Sequence, residues 1–438
     1  MAKILIAGIG GGKKEKGKYR TTSYSINENG KTYIYEDRAF VTSALEEHYK
    51  IDKTIYIGTA GSMWENLYEH YCQKYNIEQN EEYVMKLMEV VDSANKDTEI
   101  NSLDLSYFNQ IFEGKVEGRV TKYGTKETEI FENFAIIMNL QDALNDGDEI
   151  YIDVTHSFRS NAIWMFLVLN YISDVLNKNL EIKMISYGMF EITKDQVTPI
   201  IDLNAFYKIL KWIKGAHSFR EFGNSYPFLD MIDNNDINKK LKTFSDAMNM
   251  NYIGGIKNNL KSLKEILPMI EAMQGPAQLL IPKIVKDFIK QFDGVEEDYL
   301  VQARLAKWHF LQKRYAMAYI NLNQALVSFI EIELIPDRNN KNNRSTDMAK
   351  KWLRKLGTRK NNEFFKADKD NIRLLKYFKI YEHSRQVRND IAHALGKKDS
   401  TINDITSLAS YCKDIEDMLK AKELIKRKEQ EFNWLQEN

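Results

Sequence analysis

The chain has 438 residues, is 43% hydrophobic and 28% charged, and sets 62 Lys and Arg against 62 Asp and Glu. That length allows two or three domains, and a zero net charge excludes a bulk polycation, so any nucleic-acid contact has to be local. The two cysteines, Cys72 and Cys412, are too few and too far apart for a disulfide framework or a zinc site; with no signal-peptide pattern this points to a reducing cytoplasm.

The first half alternates strand and helix patterns. "KILIAGIG" (3–10) is an apolar run ending in glycines, which predicts a buried strand. "TTSYSI" and "KTYIYE" flank "NENG" and predict a hairpin. A helix around "FVTSALEEHY" and the strand "KTIYIG" (53–58) follow, then a helix over 62–75 with Ser62 as N-cap. Residues 77–127 are polar and weakly patterned and read as an insertion. A helix at about 128–145, the strand "EIYIDVT" (149–155), a helix from Ser160 and the strand "EIKMISYG" (181–188) complete the pattern. Strands alternating with helices imply a mostly parallel sheet covered on both faces. The apolar run 162–172 contains Asn170 and is too short to span a bilayer, so no membrane segment is expected.

From about residue 203 the pattern is helical. Residues 306–334 form a long helix or a helix pair, "DRNNKNNRS" (337–345) a loop, and "DMAKKWLRKLG" and "IRLLKYFKIYEHSRQVRNDIAHAL" further helices. The expected organisation is an α/β Rossmann-like domain over 1–205, a helical connector over 206–290 and an all-α domain over 291–438.

Three loops at predicted strand ends could hold an anion. "GIGGGKK" (8–14) fails the dinucleotide fingerprint, because Gly8 and Gly10 are followed by Lys13 where a third glycine belongs. That argues against a nicotinamide cofactor. Gly10 and Gly11 still let a ligand approach the backbone closely, at a strand end where open α/β sheets bind ligands; a plain tight turn is the alternative. "GTAGSMW" (58–64) brings Thr59 and Ser62 to a helix N-terminus, and Trp64 opens that helix at the same end. "IDVTHSFRS" (152–160) places Thr155, His156, Ser157 and Arg159 in a strand-to-helix turn. Helix capping by Thr155 or Ser157 and a satisfied buried Asp153 would account for the small polar residues, but not for His and Arg together.

"RQVRNDIAHA" (385–394) concentrates two arginines, an asparagine and one of the seven histidines. At 100° per residue Arg385, Asn389 and His393 share a face, Arg388 sits at its edge, and Val387, Ile391 and Leu395 form the opposite stripe, expected to face the core. Guanidinium can grip a phosphate and stabilise charge on it, and imidazole can move a proton near neutral pH. RNA carries its own nucleophile in the 2′-hydroxyl, so this chemistry needs no metal. Spacing alone is equally compatible with a solvated helix face. His217, His309 and His383 are isolated and read as structural. Residues 337–366 hold ten Lys or Arg against three Asp or Glu, either a solvated face or a local basic patch that leads RNA toward Arg388 and His393.

"RNDIAH" resembles the R-N-x-x-x-H signature of HEPN ribonuclease domains, late in an all-helical domain as in that family. The resemblance implies catalysis by Arg388 and His393 with support from Asn389; Arg385 is added from helix geometry. "DVTHSFR" resembles the D-x-T-H-G-F-R motif of CRISPR-associated proteins with a CARF domain, with Ser157 in place of the glycine. CARF domains are Rossmann-like, dimeric sensors of cyclic oligoadenylates. Together the resemblances imply a cytoplasmic homodimer or higher homo-oligomer, an accessory ribonuclease of type III CRISPR defence. It would be activated allosterically by a cyclic oligoadenylate, the tetra-adenylate first, and would cleave single-stranded RNA without metal or cofactor. The expected ligand contacts are Gly10, Gly11, Thr59, Ser62, Thr155, His156, Ser157 and Arg159. Two other readings stay open: a ligand-sensing regulator that binds nucleic acid without cutting it, and an α/β enzyme acting on a mononucleotide at the Asp153–Arg159 loop.

Overall fold

The structure is a computed structural model that describes residues 1–12, 14–15, 18–156, 178–333, 344–358, 369–393 and 401–421, together with 163, 167, 170–172, 174 and 335. It divides into two compact units, Met1–Lys208 and Ile209–Asn438.

In the first unit the strands are β1 (Lys3–Ile9), β2 (Lys14–Glu15), β3 (Lys18–Tyr19), β4 (Thr22–Glu28), β5 (Lys31–Arg38), β6 (Lys53–Thr59), β7 (Val116–Thr121), β8 (Glu149–Asp153), β9 (Glu181–Gly188) and β10 (Val197–Asp202). Eight of them build one sheet in the order β5-β4-β10-β9-β8-β1-β6-β7, and β2 pairs with β3 apart from it. The run β9, β8, β1, β6, β7 is parallel throughout. This is the expected α/β architecture, and its central strands are apolar without alternation because both faces are covered. Along β1, Ile4 and Ile6 face one cluster with Ile55, Ile57, Ile150 and Ile152. Leu5, Ala7 and Ile9 face the other, with Tyr56, Trp64, Leu67 and Tyr71, as the two-residue period of a strand requires.

The elements are largely where the sequence puts them, with three differences. Within 77–127, set aside as an insertion, Val116–Thr121 is β7, the edge strand beside β6. β10 was not anticipated. It runs antiparallel to β9 and parallel to β4, and so attaches the β4–β5 hairpin to the sheet. The helix predicted over 62–75 begins at Trp64, with Met63 at the cap position and no side-chain cap bond, so Ser62 is not its N-cap. The helix expected from Ser160 falls mostly outside the described residues.

The second unit is helical, and no strand occurs among its described residues. The helix pair expected over 306–334 is Asp298–Leu311 and Tyr315–Glu333, turned at Lys313, whose φ is 58°. One core cluster gathers Trp212, Phe219, Phe244, Phe288 and Trp308. A second packs Leu322, Leu326, Phe329, Tyr377 and Tyr381 against Leu408 and Ile415. The second cluster carries the helices Lys369–Ala392 and Thr401–Ala421.

Candidate functional site

A cavity of about 720 Å³ opens at the ends of the parallel strands in the first unit. Gly10, Gly11 and Gly12 line it from the end of β1, and Thr155 and His156 from the end of β8. Met63 lines it from the loop after β6, so the structure joins all three loops singled out in the sequence. It adds residues that sequence reasoning missed: Tyr19, Arg20, Thr22, Phe190, Thr193 and Thr198. Thr22 and Thr198 are 176 positions apart, and their hydroxyls lie 3.3 Å from each other because β10 runs beside β4. The Thr193 hydroxyl is 2.9 Å from that of Thr198.

Asp153 holds the β8 loop in shape. It is fully buried, and its carboxylate accepts from the Thr155 hydroxyl (2.6 Å), the Ser186 hydroxyl (3.0 Å) and the Thr155 N–H (3.1 Å). The Thr155 oxygen in turn accepts from the Gly188 N–H at 2.8 Å. Burial pushes the Asp153 carboxyl up to about 6, against the pull of those hydrogen bonds. This is the satisfied buried acid of the sequence reading, and it fixes the residue that faces the cavity. Burial also lowers the His156 imidazole to about 4, which keeps it neutral at physiological pH. Its Nε2 has no hydrogen-bond partner among the described residues. Phe190 lies 6.1 Å from both the His156 and Tyr24 rings, forming an aromatic wall.

Thr59 and Ser62 do not reach the cavity. Thr59 is 2% and Ser62 0% exposed, and the Ser62 hydroxyl accepts from the Thr59 N–H (3.0 Å) and donates to the Ile9 carbonyl (2.8 Å). Their polarity ties the β6 loop to β1, which corrects their assignment as ligand contacts. Trp64, expected at the ligand face, is buried with its Nε1 donating to the Thr59 carbonyl at 2.7 Å. Ser157 and Arg159 lie outside the described residues.

In the second unit, Arg388 and Asn389 sit in the last turns of the Lys369–Ala392 helix, and the His393 N–H still bonds the Asn389 carbonyl at 3.0 Å. The Arg388 guanidinium donates to Asn389 Oδ1 at 3.0 Å and meets Asn323 Oδ1 at 3.5 Å. Arg385 is engaged by Glu382 one turn back, which raises its already high pKa further. His393 is exposed. The expected inner stripe needs correction. The buried face of this helix runs through Tyr377, Ile380, Tyr381 and Ser384, which places Arg388 at the rim of the core. Val387 packs against the core, but Ile391 is 41% exposed, and Leu395 lies outside the described residues. Arg388 and His393 are five positions apart and so diverge by roughly 140° around one helix.

The three histidines read as isolated differ in setting, and His217 is exposed. His383 bridges Asp404 Oδ1 and the Tyr411 hydroxyl at 3.1 Å each. His309 is buried beside Trp308, and burial, with help from Arg314, lowers it to about 3. His217 lies 3.4 Å from Arg220. Among the described residues no three His, Cys, Asp or Glu side chains are grouped to hold a metal ion, and no described helix is long and apolar enough to cross a membrane. Both cysteines are free and buried. Of the basic stretch 337–366, the Arg344–Thr358 helix is described, and it turns Ala349, Trp352 and Leu353 inward.

Residues 4–191 match the family described as the CARF domain of the CRISPR system endoribonuclease Csx1. Residues 208–296, the stretch read as a connector, match the second domain of the CRISPR-associated protein MJ1674. The CRISPR-associated protein MJ1674 of Methanocaldococcus jannaschii is 31% identical over 439 aligned positions, which cover 95% of this chain and 66% of that protein. The chain thus spans just under two thirds of that relative. Among solved structures, Csm6 of Enterococcus italicus bound to cyclic hexa-2′-fluoro-hexa-dAMP aligns over 100% of this chain and 98% of its own, at 12% identity and a TM-score of 0.36. That likeness is too low to carry an inference.

Proposed function

Starting from a chain whose first unit carries a CRISPR-associated CARF domain, we propose that it is an endoribonuclease for single-stranded RNA, switched on when a cyclic oligoadenylate fills the 720 Å³ cavity. The observation that carries this reading is the end of the Lys369–Ala392 helix. There Arg388 is held by two amides while His393 is exposed. The guanidinium would bind the scissile phosphate, and the imidazole would move protons. The 2′-oxygen attacks phosphorus, the bond to the 5′-oxygen breaks, and the 2′-proton is removed while the 5′-oxygen gains one. The products are a 2′,3′-cyclic phosphate and a 5′-hydroxyl, and no metal takes part. The resemblance to HEPN domains implies that Arg388 and His393 from two chains form one composite site, and the divergence of the two residues around one helix is compatible with completion by a homodimer.

In the cavity, the exposed Phe190 ring, backed by the buried Tyr24, offers a face for an adenine, and backbone at Gly10 and Gly11 can approach a phosphate. Neutral His156 and the Thr22 and Thr193 hydroxyls supply hydrogen bonds to base or ribose, and the buried Thr198 hydroxyl, which lies beside both threonines, positions them. Arg20 brings positive charge to the rim. Thr155, His156, Gly10 and Gly11 remain the proposed contacts, together with Ser157 and Arg159 from the sequence resemblance. The activator is proposed to be the tetra-adenylate, with the hexa-adenylate next.

The test is labelled single-stranded RNA incubated in chelator with the protein and each synthetic cyclic oligoadenylate, with analysis of product ends. Cleavage stimulated by one ring size, leaving cyclic-phosphate ends, is expected. A protein that binds a ring and RNA but never cuts would instead be a ligand-sensing regulator.

A further inference from the structure

We propose that Asn323, on the Tyr315–Glu333 helix, is a positioning residue for Arg388. The assignment rests on the reading of Arg388 as the phosphate-binding group. Asn323 is only 2% exposed and lies in one of the most apolar helices of the chain, between Leu322 and Ala325. A buried amide is costly unless its hydrogen bonds are made, and those of Asn323 all lead toward the catalytic helix. Its Nδ2 donates to Ser384 Oγ at 3.0 Å and to the Tyr381 carbonyl at 3.3 Å.

Those two bonds fix which way the amide points. A carbonyl only accepts, so the Tyr381 oxygen must face the NH₂ and not the C=O. Ser384 donates its own proton to the same carbonyl at 3.0 Å, so its oxygen is free to accept from Asn323. Both donors of the amide are therefore committed, and Oδ1 is left facing the Arg388 guanidinium at 3.5 Å. With Asn389 on Nη2 and Asn323 on Nη1, the guanidinium plane is held at two corners. The remaining N–H groups are left for phosphate oxygens, the paired geometry that makes arginine effective there. The neighbouring Asn321 provides the contrast. It is also buried, but its Nδ2 bonds the Met317 carbonyl on its own helix and Asn251, so it makes no link to the catalytic helix.

The experiment compares RNA cleavage at saturating activator for the parent, Asn323→Ala, Arg388→Lys and the double variant, with thermal unfolding of each. Loosening the guanidinium should slow cleavage between about 10-fold and 100-fold, the scale of a small misplacement of a catalytic group. The loss should lie in kcat rather than KM. A lysine has no second arm to reach Asn323, so Asn323→Ala should add nothing in the Arg388→Lys background. A purely structural role would make the two losses multiply, and that result overturns the proposal. It also fails if Asn323→Ala cuts at the parental rate while Arg388→Lys is impaired. If Arg388→Lys itself cuts normally, the reading of the catalytic face falls first, and the role of Asn323 with it. Should Asn323→Ala fail to fold, Asn323→Ser serves instead, because its short hydroxyl cannot span to Arg388 and the same outcomes apply.

Discussion

A β-carbon on Gly10 would stand 2.5 Å from the carbonyl oxygen of His156. The β1 and β8 loops thus meet backbone to backbone at the floor of the cavity, and no flexible side chain is available there to yield. Gly10→Ala should displace the His156 loop and weaken cyclic tetra-adenylate binding by at least about 10-fold, or ~1.4 kcal/mol. Calorimetric titration of the folded variant checks this. Unchanged affinity would show that the ligand does not use these loops.

Asp153 and His156 oppose each other in their response to pH. The Asp153 carboxyl is raised to about 6 by burial, so between pH ~4 and ~6 the folded chain binds more protons than the unfolded one, and stability falls as pH rises. The His156 imidazole is lowered to about 4, so between pH ~4 and ~6.5 the unfolded chain binds more protons, and stability rises with pH. Each slope is worth roughly 1.4 kcal/mol per pH unit within its window. Asp153→Asn, which keeps an acceptor for the Thr155 hydroxyl, should therefore leave a protein whose stability climbs more steeply with pH than the parent's. His156→Gln should do the reverse. Urea midpoints at several pH values read both, and two variants that track the parent in parallel would refute the assignment.

The parts of this molecule legible in the sequence are those set by local pattern. The apolar runs of β1, β6, β8 and β9, the "NENG" hairpin and the helix after 204 all follow from periodicity and turn chemistry. Gly10, Gly11, Thr155 and His156 were found because they sit just past strand ends, where a parallel sheet opens. Thr22, Phe190, Thr193 and Thr198 were not found, because only the lateral placement of β10 beside β4 brings them there. Thr59 and Ser62 misled for a related reason: a hydroxyl that ties two loops together is indistinguishable in sequence from one that binds a ligand. Asn323 did leave a trace, since "NLNQ" (321–324) interrupts an apolar helix. A buried polar residue in such a place asks for a partner, but the partner cannot be read from one helix alone.

Phe190 tests the part of the cavity that sequence did not supply. Its ring is 44% exposed, so truncation should leave the fold intact. Stacking of a base on an aromatic ring is worth about 1–3 kcal/mol. Phe190→Ala should accordingly weaken cyclic oligoadenylate binding by about 10-fold or more. Thermal unfolding should be nearly unchanged, and equal affinity in parent and variant would remove Phe190 from the ligand site.

Sensing and cutting should come apart, because the cavity belongs to Met1–Lys208 and the helix proposed to carry catalysis to Ile209–Asn438. A ligand can activate only by binding the active state more tightly than the resting one. Phe190→Ala and Gly10→Ala should therefore shift the activation curve to higher ligand concentration while keeping the basal rate seen without ligand. His393→Ala should bind the ring normally and lower RNA cleavage by at least roughly 100-fold, as should Arg388→Ala, the scale of a lost proton-transfer or charge-stabilising group. His393 is exposed and makes no side-chain hydrogen bond to the described residues, so its loss should leave the unfolding midpoint unchanged. Chelator should not affect the parent. The decisive measurement is ring binding and RNA cleavage on the same preparations. Full cleavage by a folded His393→Ala protein would move the catalytic site elsewhere, and parental activation of Phe190→Ala together with Gly10→Ala would move the sensor.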